Sequence, residues 1–302
     1  MPLGLPTETL GRTGLEVTRL GFGAMELRDA PRGRPVTDDH ARAVLNAVLD
    51  AGINFIDTSI DYGRSEELIG KHISNRRSEF YLASKCGCPV VPDAIAKGEH
   101  QYNRENIVAG VNQSLARMKT DHLDFVQFHT SPSRETLADH DAIGTLRDLQ
   151  NEGKIRFLGS SSTLPHIEDH IDMGVFDEFQ IPYSALQREH EEIIVRAADA
   201  GIGTVIRGGV AKGEPGVSGV SRPVPWAKFD ESNLDDLREE GESRTDFMLR
   251  FALSHPHMHT TIVGTLNLDH LRDNVSAAIK GPLPSNVYEE AKRRLAAVDV
   301  KP

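Results

Sequence analysis

A chain of 302 residues can form one large barrel domain or two ordinary ones, and 38% hydrophobic with 26% charged residues allows a sizeable core. No apolar run approaches the roughly 18–20 residues that cross a bilayer, and residues 1–10 lack the basic start and apolar stretch of a secretory signal, so a cytoplasmic protein is expected. A net charge of −11 argues against nucleic acid or an anionic membrane as a partner, while allowing a local basic pocket for a phosphate.

In chain order, residues 8–17 read as a hairpin around a Gly-flanked turn, suited to plug one end of a barrel. A strand at 18–23 follows. An amphipathic helix comes next, with Asp38 as N-cap and Val44, Leu45, Val48 and Leu49 on one face. Strands are predicted at 52–57 and 79–85. Just beyond, Cys86 and Cys88 lie too close together for an ordinary structural disulfide, and both are expected as buried reduced thiols. Further strands at 122–129, 154–160, 176–181, 201–206 and 260–263 alternate with helices that include 104–118, 140–152, 188–200 and 244–254. A last helix is predicted at 268–279. Eight strands, each followed by a helix or a long loop, imply parallel neighbours joined by crossovers. They predict an α/β fold, a TIM-type (β/α)8 barrel forming one domain over residues 1–302. No G-x-G-x-x-G opens a helix after an early strand, which weakens the doubly wound alternative. The Gly- and Pro-rich segment 207–243 breaks the rhythm after the seventh strand, and a long loop there is predicted as a lid.

In such a barrel the carboxyl ends of the strands surround one pocket, so polar residues there are the first candidates for chemistry. Asp57 ends the second strand, Tyr62 lies five residues on, Lys85 ends the third and His129 the fourth. Singly Asp57 reads as a helix N-cap, Lys85 as a surface lysine and His129 as a satisfied core histidine; together with Tyr62 on consecutive strands they read as a site. Carbonyl reduction needs an acid that protonates the developing alkoxide. A phenol with a pKa of about 10 is a poor acid unless a neighbouring ammonium stabilises its phenolate, and an aspartate can hold that ammonium in place. The histidine is suited to orient the carbonyl oxygen.

The same residues carry a resemblance. Residues 52–58 (G-I-N-F-I-D-T), Tyr62-Gly63 and residues 65–70 (S-E-E-L-I-G) resemble the signature of the aldo-keto reductases. Ser84-Lys85-Cys86-Gly87 and residues 124–129 (D-F-V-Q-F-H) resemble that family's third and fourth strand ends, and the match runs in order over nearly the whole chain. The resemblance implies reduction of a small carbonyl substrate, with Tyr62 as general acid, Asp57 and Lys85 tuning it, and His129 positioning the substrate. It also implies a nicotinamide dinucleotide held on strands five to eight, with Gly23 and Met25 beside it. Ser161 and Ser162 stand where relatives show G-x-S-N and are implied, with Gln180, at the carboxamide. Tyr183 is implied as the platform under the nicotinamide ring. Arg207, Gly208, Val210, Lys212 and Gly213 fall in the pyrophosphate stretch, where glycines let backbone N–H groups approach. Arg207 departs from the family and leaves three roles open: a cofactor phosphate, an acid partner or an anionic substrate. Gly264, Thr265, Asn267, His270 and Asn274 fall at the adenosine end. Leu266 and Asn267 replace the usual serine and cation there, so NADPH is expected with less discrimination against NADH than is usual.

His255-x-His257-x-His259 has a spacing that suits zinc, but it precedes the eighth strand, at the far end of the barrel, and no metal is expected. A cofactor-sensing regulatory subunit on the same barrel is the rival to a reductase, and the complete tetrad favours catalysis. Pocket walls are expected from 26–36 and 207–243, and no feature specifies an oligomeric state.

Overall fold

The computed structural model describes residues 4–214 and 226–302. Two short antiparallel strands open it, β1 (Thr7–Thr9) and β2 (Glu16–Thr18), paired from Thr7–Thr18 to Thr9–Glu16. The barrel strands are β3 (Leu20–Gly23), β4 (Phe55–Asp57), β5 (Tyr81–Cys86), β6 (Leu123–Phe128), β7 (Ile155–Ser160), β8 (Glu178–Pro182), β9 (Gly203–Arg207) and β10 (Thr260–Val263). All are parallel, each pairs with the next, and β10 closes on β3. The eight expected strands are therefore present, with ends that differ by at most three residues and coincide at both ends of β10.

Helices α1 (Asp38–Asp50) and α2 (Ser65–His72) follow β3 and β4. After β5 come α3 (Pro92–Lys97) and α4 (Arg104–Met118); after β6 come α5 (Arg134–Asp139) and α6 (Ala142–Asn151). Then α7 (His166–Met173) and α8 (Glu191–Asp199) follow β7 and β8. After β9 come α9 (Ala227–Glu231) and α10 (Arg244–Leu253), and α11 (Leu268–Lys280) and α12 (Ser285–Ala297) complete the chain. Sequence periodicity named none of α2, α3, α5, α7, α9 and α12. One cap is corrected: Thr37, not Asp38, caps α1, its hydroxyl accepting from the His40 N–H, while Asp38 pairs with Arg64 and Lys71.

Alternation along the strands sorts the interior. Phe55, Ala83, Phe125 and Val205 are fully buried and cluster with Leu10, Leu15 and Val17 of the hairpin, which plugs the amino-terminal end of the barrel. Asn54 fastens the plug. Its side chain accepts from the Thr18 N–H at 2.7 Å and donates to the Glu16 carbonyl at 2.8 Å. With that end filled by apolar side chains, polar inward residues collect at the other: Asp57, Lys85 and Gln180.

Of the expected lid, residues 215–225 lie outside the described residues. The part nearest α10 is packed and ordered. Trp226 is buried against Phe229 and donates its indole N–H to the Ala211 carbonyl at 3.4 Å, and Arg244 pairs with Asp230 and Asp235.

Candidate active site

The Lys85 ammonium is the centre of the site. It is fully buried and donates to both Asp57 oxygens at 2.8 Å and to the Thr58 carbonyl at 2.7 Å. Those three bonds use its three protons. Burial alone would push the ammonium down; Asp57 and the nearby phenol outweigh it, and Lys85 is held above the ordinary lysine value. Gln180 donates to Asp57 Oδ1 at 2.8 Å, and Ser161 donates to the Gln180 side-chain carbonyl at 3.3 Å. A chain of hydrogen bonds thus runs from β5 through β4 to β8 and the end of β7. Beneath it, burial and then the field of Asp57 push the Glu178 carboxyl well above the usual carboxylate range.

Tyr62 sits in the loop after β4, and Lys85 Nζ lies 5.1 Å from its ring centroid. Burial raises the phenol above its ordinary value, with Asp57 and Asp61 adding to the rise and Lys85 and Arg207 opposing it. The group is therefore protonated throughout the physiological range, and Lys85 acts on it through space. Gly63 makes the turn possible, because its φ is +48° and a Cβ would strike the Arg28 carbonyl oxygen.

The S-E-E-L-I-G segment is the mount for this loop. Ser65 donates to the Ala24 carbonyl at 2.9 Å. Glu66 is buried and accepts from Ser84 and Ser114, both at 2.7 Å, which ties α2 to β5 and α4. A Cβ at Gly70 would strike the Arg117 carbonyl oxygen, so glycine sets the close approach of α2 and α4.

His129 follows β6, its ring edge-on to Tyr62 with centroids 6.2 Å apart. Burial pushes it down to about 3, helped by Lys85 and opposed by Asp61, so the imidazole is neutral. Its Nδ1 lies 3.1 Å from Cys88 Sγ and 3.4 Å from His100 Nε2. Burial pushes the Cys88 thiol up to about 12, so it carries a proton that it can donate to Nδ1, leaving the imidazole proton on Nε2. Arg32 pairs with Asp61 at 3.5 Å beside this group. Cys88, His100 and Asp61 were not among the expected site residues, and Arg32 falls within the expected pocket wall 26–36 without having been singled out. They come from separate loops, and no local spacing announces them.

The expected cofactor residues divide. Ser161 and Gln180 meet as described. Gly23 and Gly264 lie side by side at the tops of β3 and β10, with Met25 half-buried just beyond β3. At the end of β9, burial lowers the Arg207 guanidinium, Tyr62 and Asp57 pull it back up, and its Nε is buried with no hydrogen-bond partner among the described residues. Gly208 and Lys212 are exposed and Val210 and Gly213 half-buried. Asn267 caps α11, accepting from the Asp269 N–H at 2.8 Å, and its own N–H donates to Thr265 at 3.0 Å. His270 is exposed on the first turn and Asn274 buried one turn later.

Two expectations are corrected. Ser162 is fully buried, with its hydroxyl 2.7 Å from both Ser160 Oγ and His170 Nδ1, and it does not face the pocket. Tyr183 is also fully buried. Its ring lies against Phe251 and His255 and its hydroxyl pairs with Tyr288 at 2.9 Å, so no ring face is open to a ligand. Alternation explains both: they follow inward-facing residues and belong to the shell between the barrel and its helices. The three alternate histidines do not converge. His255 reaches the Glu191 carbonyl, and His259 accepts from the Thr204 N–H.

Comparison with known proteins agrees with this architecture. The sequence profile of the Aldo/keto reductase family matches residues 19–217. The chain is 28% identical over 285 residues to the Bacillus subtilis protein named uncharacterized oxidoreductase YqkF, covering 89% of this chain and 90% of that one. It is 27% identical over 286 residues to L-galactose dehydrogenase of Arabidopsis thaliana, with 89% and 86% covered. The holo form of aldo-keto reductase AKR11C1 from Bacillus halodurans superposes with a TM-score of 0.82 at 26% identity, with 96% of each chain covered. With the profile spanning more than half its length, the chain belongs to the aldo/keto reductase family, a family of oxidoreductases.

Proposed function

We propose that this protein reduces aldehydes or ketones to alcohols with a nicotinamide dinucleotide, NADPH in preference to NADH. The observation that carries the reading is the buried Lys85 ammonium, held by three hydrogen bonds and set 5.1 Å from the Tyr62 ring. Tyr62 is protonated before reaction and gives its proton to the carbonyl oxygen as negative charge develops there. The fixed charge of Lys85 stabilises the phenolate that remains, in a site where no reorganisation is needed. Asp57 keeps that ammonium charged and in place. Neutral His129, with its proton on Nε2, orients the carbonyl oxygen by a hydrogen bond.

Residues at the ends of β7 to β10 fit the cofactor. Ser161 and Gln180 offer amide-binding groups, the Arg207 Nε, without a partner among the described residues, offers a buried cationic donor, and the exposed start of the 13-residue α11 suits a phosphate. When bound, the reduced nicotinamide supplies the hydrogen and electron pair that the carbonyl carbon takes up.

The test is a broad screen of aldehydes and ketones with both reduced cofactors, run on the parent and on Tyr62→Phe. The variant should lose about 10²–10⁴-fold in kcat with nearly unchanged cofactor affinity. Retention of more than about a tenth of kcat removes Tyr62 from the acid role. Tight cofactor binding with no turnover of any carbonyl compound would favour a cofactor-sensing protein instead.

A further inference from the structure

Behind His129, on the side of the ring away from Nε2, one sulfur and two imidazole nitrogens converge. Cys88 Sγ lies 3.1 Å from His129 Nδ1 and 3.6 Å from His100 Nε2, and the two imidazole nitrogens are 3.4 Å apart. Among the described residues these three atoms are a set of potential ligands lying within 4.8 Å of one another. Zinc–sulfur bonds of about 2.3 Å and zinc–nitrogen bonds of about 2.0–2.1 Å at tetrahedral angles place sulfur and nitrogen about 3.5 Å apart, and two nitrogens about 3.4 Å apart. Two of the three edges match those lengths, and the third is a few tenths of an ångström short. We infer that Cys88, His100 and His129 form a zinc-binding site behind the substrate-facing histidine, with the fourth position open beside Asp61.

The ligand types favour this ion class. A thiolate with two imidazoles selects zinc over the hard ions magnesium and calcium, which take oxygen ligands. Asp61 Oδ1 lies 3.8 Å from His129 Nδ1 and brings a carboxylate to the open side. Charge balance is the main opposing effect, because Lys85 and Arg207 both act on His129. Lys85, however, is paired with Asp57, and the Cys88 thiolate, with the Asp61 carboxylate that Arg32 also pairs, offsets part of the dication's charge. On binding, the Cys88 S–H bond breaks, the proton goes to solvent and a zinc–sulfur bond forms, with no redox change. The metal takes Nδ1 and leaves the proton on Nε2, the same tautomer that a thiol donating to Nδ1 gives in its absence. Metal and proton thus compete for one position behind the residue that faces the carbonyl.

The ordinary alternative is a hydrogen-bonded thiol–imidazole cluster that never binds metal, and the full chain distinguishes them without any assay of turnover. After stripping with a chelator, the protein should take up one equivalent of Zn2+ in competition with a chromogenic chelator. With Co2+ it should develop thiolate-to-metal absorption in the near ultraviolet. Cys88→Ser should lose that absorption, and Cys88→Ser and His100→Ala should each weaken Zn2+ by more than about ten-fold, since even partners one shell further out cost about 10–100-fold. His255→Ala should bind as the parent does. Circular dichroism on each variant identifies any that misfold, and the Co2+ spectrum of the parent stands apart from the variants. Absence of that band, or Zn2+ affinity unchanged in both folded variants, overturns the site.

Discussion

The two halves of the barrel mouth are built on different terms. At the Asp57–Lys85 pair the polar groups satisfy one another: Lys85 donates three hydrogen bonds to Asp57 and Thr58, and Gln180 reaches across to Asp57, while deeper in the barrel the Gln127 and Glu178 side chains have no hydrogen-bond partner among the described residues. Around the ends of β9 and β10 the chain leaves Gly208, Gly264, Asn267 and His270 exposed and Arg207 Nε buried without a partner among the described residues. The first half is preorganised by the fold alone, so its electrostatic effect costs nothing at the moment of reaction. The second exposes donors that a bound molecule would complete. Substitutions in the first half should therefore cost both stability and rate, and those in the second mainly affinity.

Lys85→Met offers the hardest test of that contrast. Breaking a buried pair leaves Asp57 without its counter-charge and with only the Gln180 hydrogen bond, at about 3–5 kcal/mol. Urea unfolding should show a loss of that order, and turnover should fall about 10²–10⁴-fold, the range of general acid catalysis. The double variant Lys85→Met/Asp57→Leu should regain most of the stability and none of the rate. If turnover survives in either protein, Lys85 does not support the acid.

Acid should weaken the fold through histidines held neutral. Burial pushes His170 and His255 down to about 4 and His129 to about 3. All three folded values lie below the ordinary value of about 6.5, so the unfolded chain binds protons first as pH falls. Stability is full above about pH 6.5 and is lost toward about pH 4. His170 alone accounts for about 3 kcal/mol by pH 4. Its ring lies in the outer shell, bonded to Ser162 and the Pro132 carbonyl, so it reports on the shell and not on the mouth. In urea unfolding followed from pH 7.5 to 4.5, His170→Phe should flatten this limb. An unchanged slope would assign the loss elsewhere.

The sequence carried the fold and the built half of the site because both rest on local regularities. Strand alternation and the run from Asp57 to Gly70 are short patterns whose residues touch one another, as Glu66 does with Ser84 and Gly70 with Arg117. What escaped depends on which side of a strand end a residue faces. Ser162 and Tyr183 each follow an inward-facing position and turn into the shell, a parity that carrying the strand alternation a residue or two past the strand end gives. Cys88 and His100 meet His129 only because the loops after β5 and β6 come together. Helices α2 and α7 were missed because eight residues give barely two turns of periodicity.

Arg207→Leu probes the unfinished half. A hydrogen bond to a charged group is worth about 1.5–3 kcal/mol, or roughly ten- to a hundred-fold in affinity. Stability should be little changed, because Nε has no partner to lose among the described residues. Weaker binding of both cofactors assigns the guanidinium to the dinucleotide. A raised KM confined to carbonyl substrates bearing a carboxylate assigns it to the substrate. If neither moves, Arg207 is not a ligand-binding residue and the contrast between the halves fails at its central cation.

The smallest expected effect concerns the choice between NADPH and NADH. Leu266 and Asn267 offer no cation, and the Asn267 side chain is already committed to the Asp269 N–H at 2.8 Å. A 2′-phosphate would then be read by His270, exposed on the first turn of α11, and by the N-terminal end of that helix. Such exposed contacts are worth about 0.3–1 kcal/mol, which is at most roughly five-fold in affinity. Fluorescence titration with both cofactors should give an NADPH preference of that size, and His270→Ala should reduce it while leaving NADH binding unchanged. The preference should also shrink with salt, because the screening length falls from about 10 Å at 0.1 M to about 3 Å at 1 M. Equal losses for the two cofactors in His270→Ala would remove His270 from the phosphate site. Tighter NADH binding by the parent would reverse the preference and mean that the exposed start of α11 reads the adenosine without its phosphate.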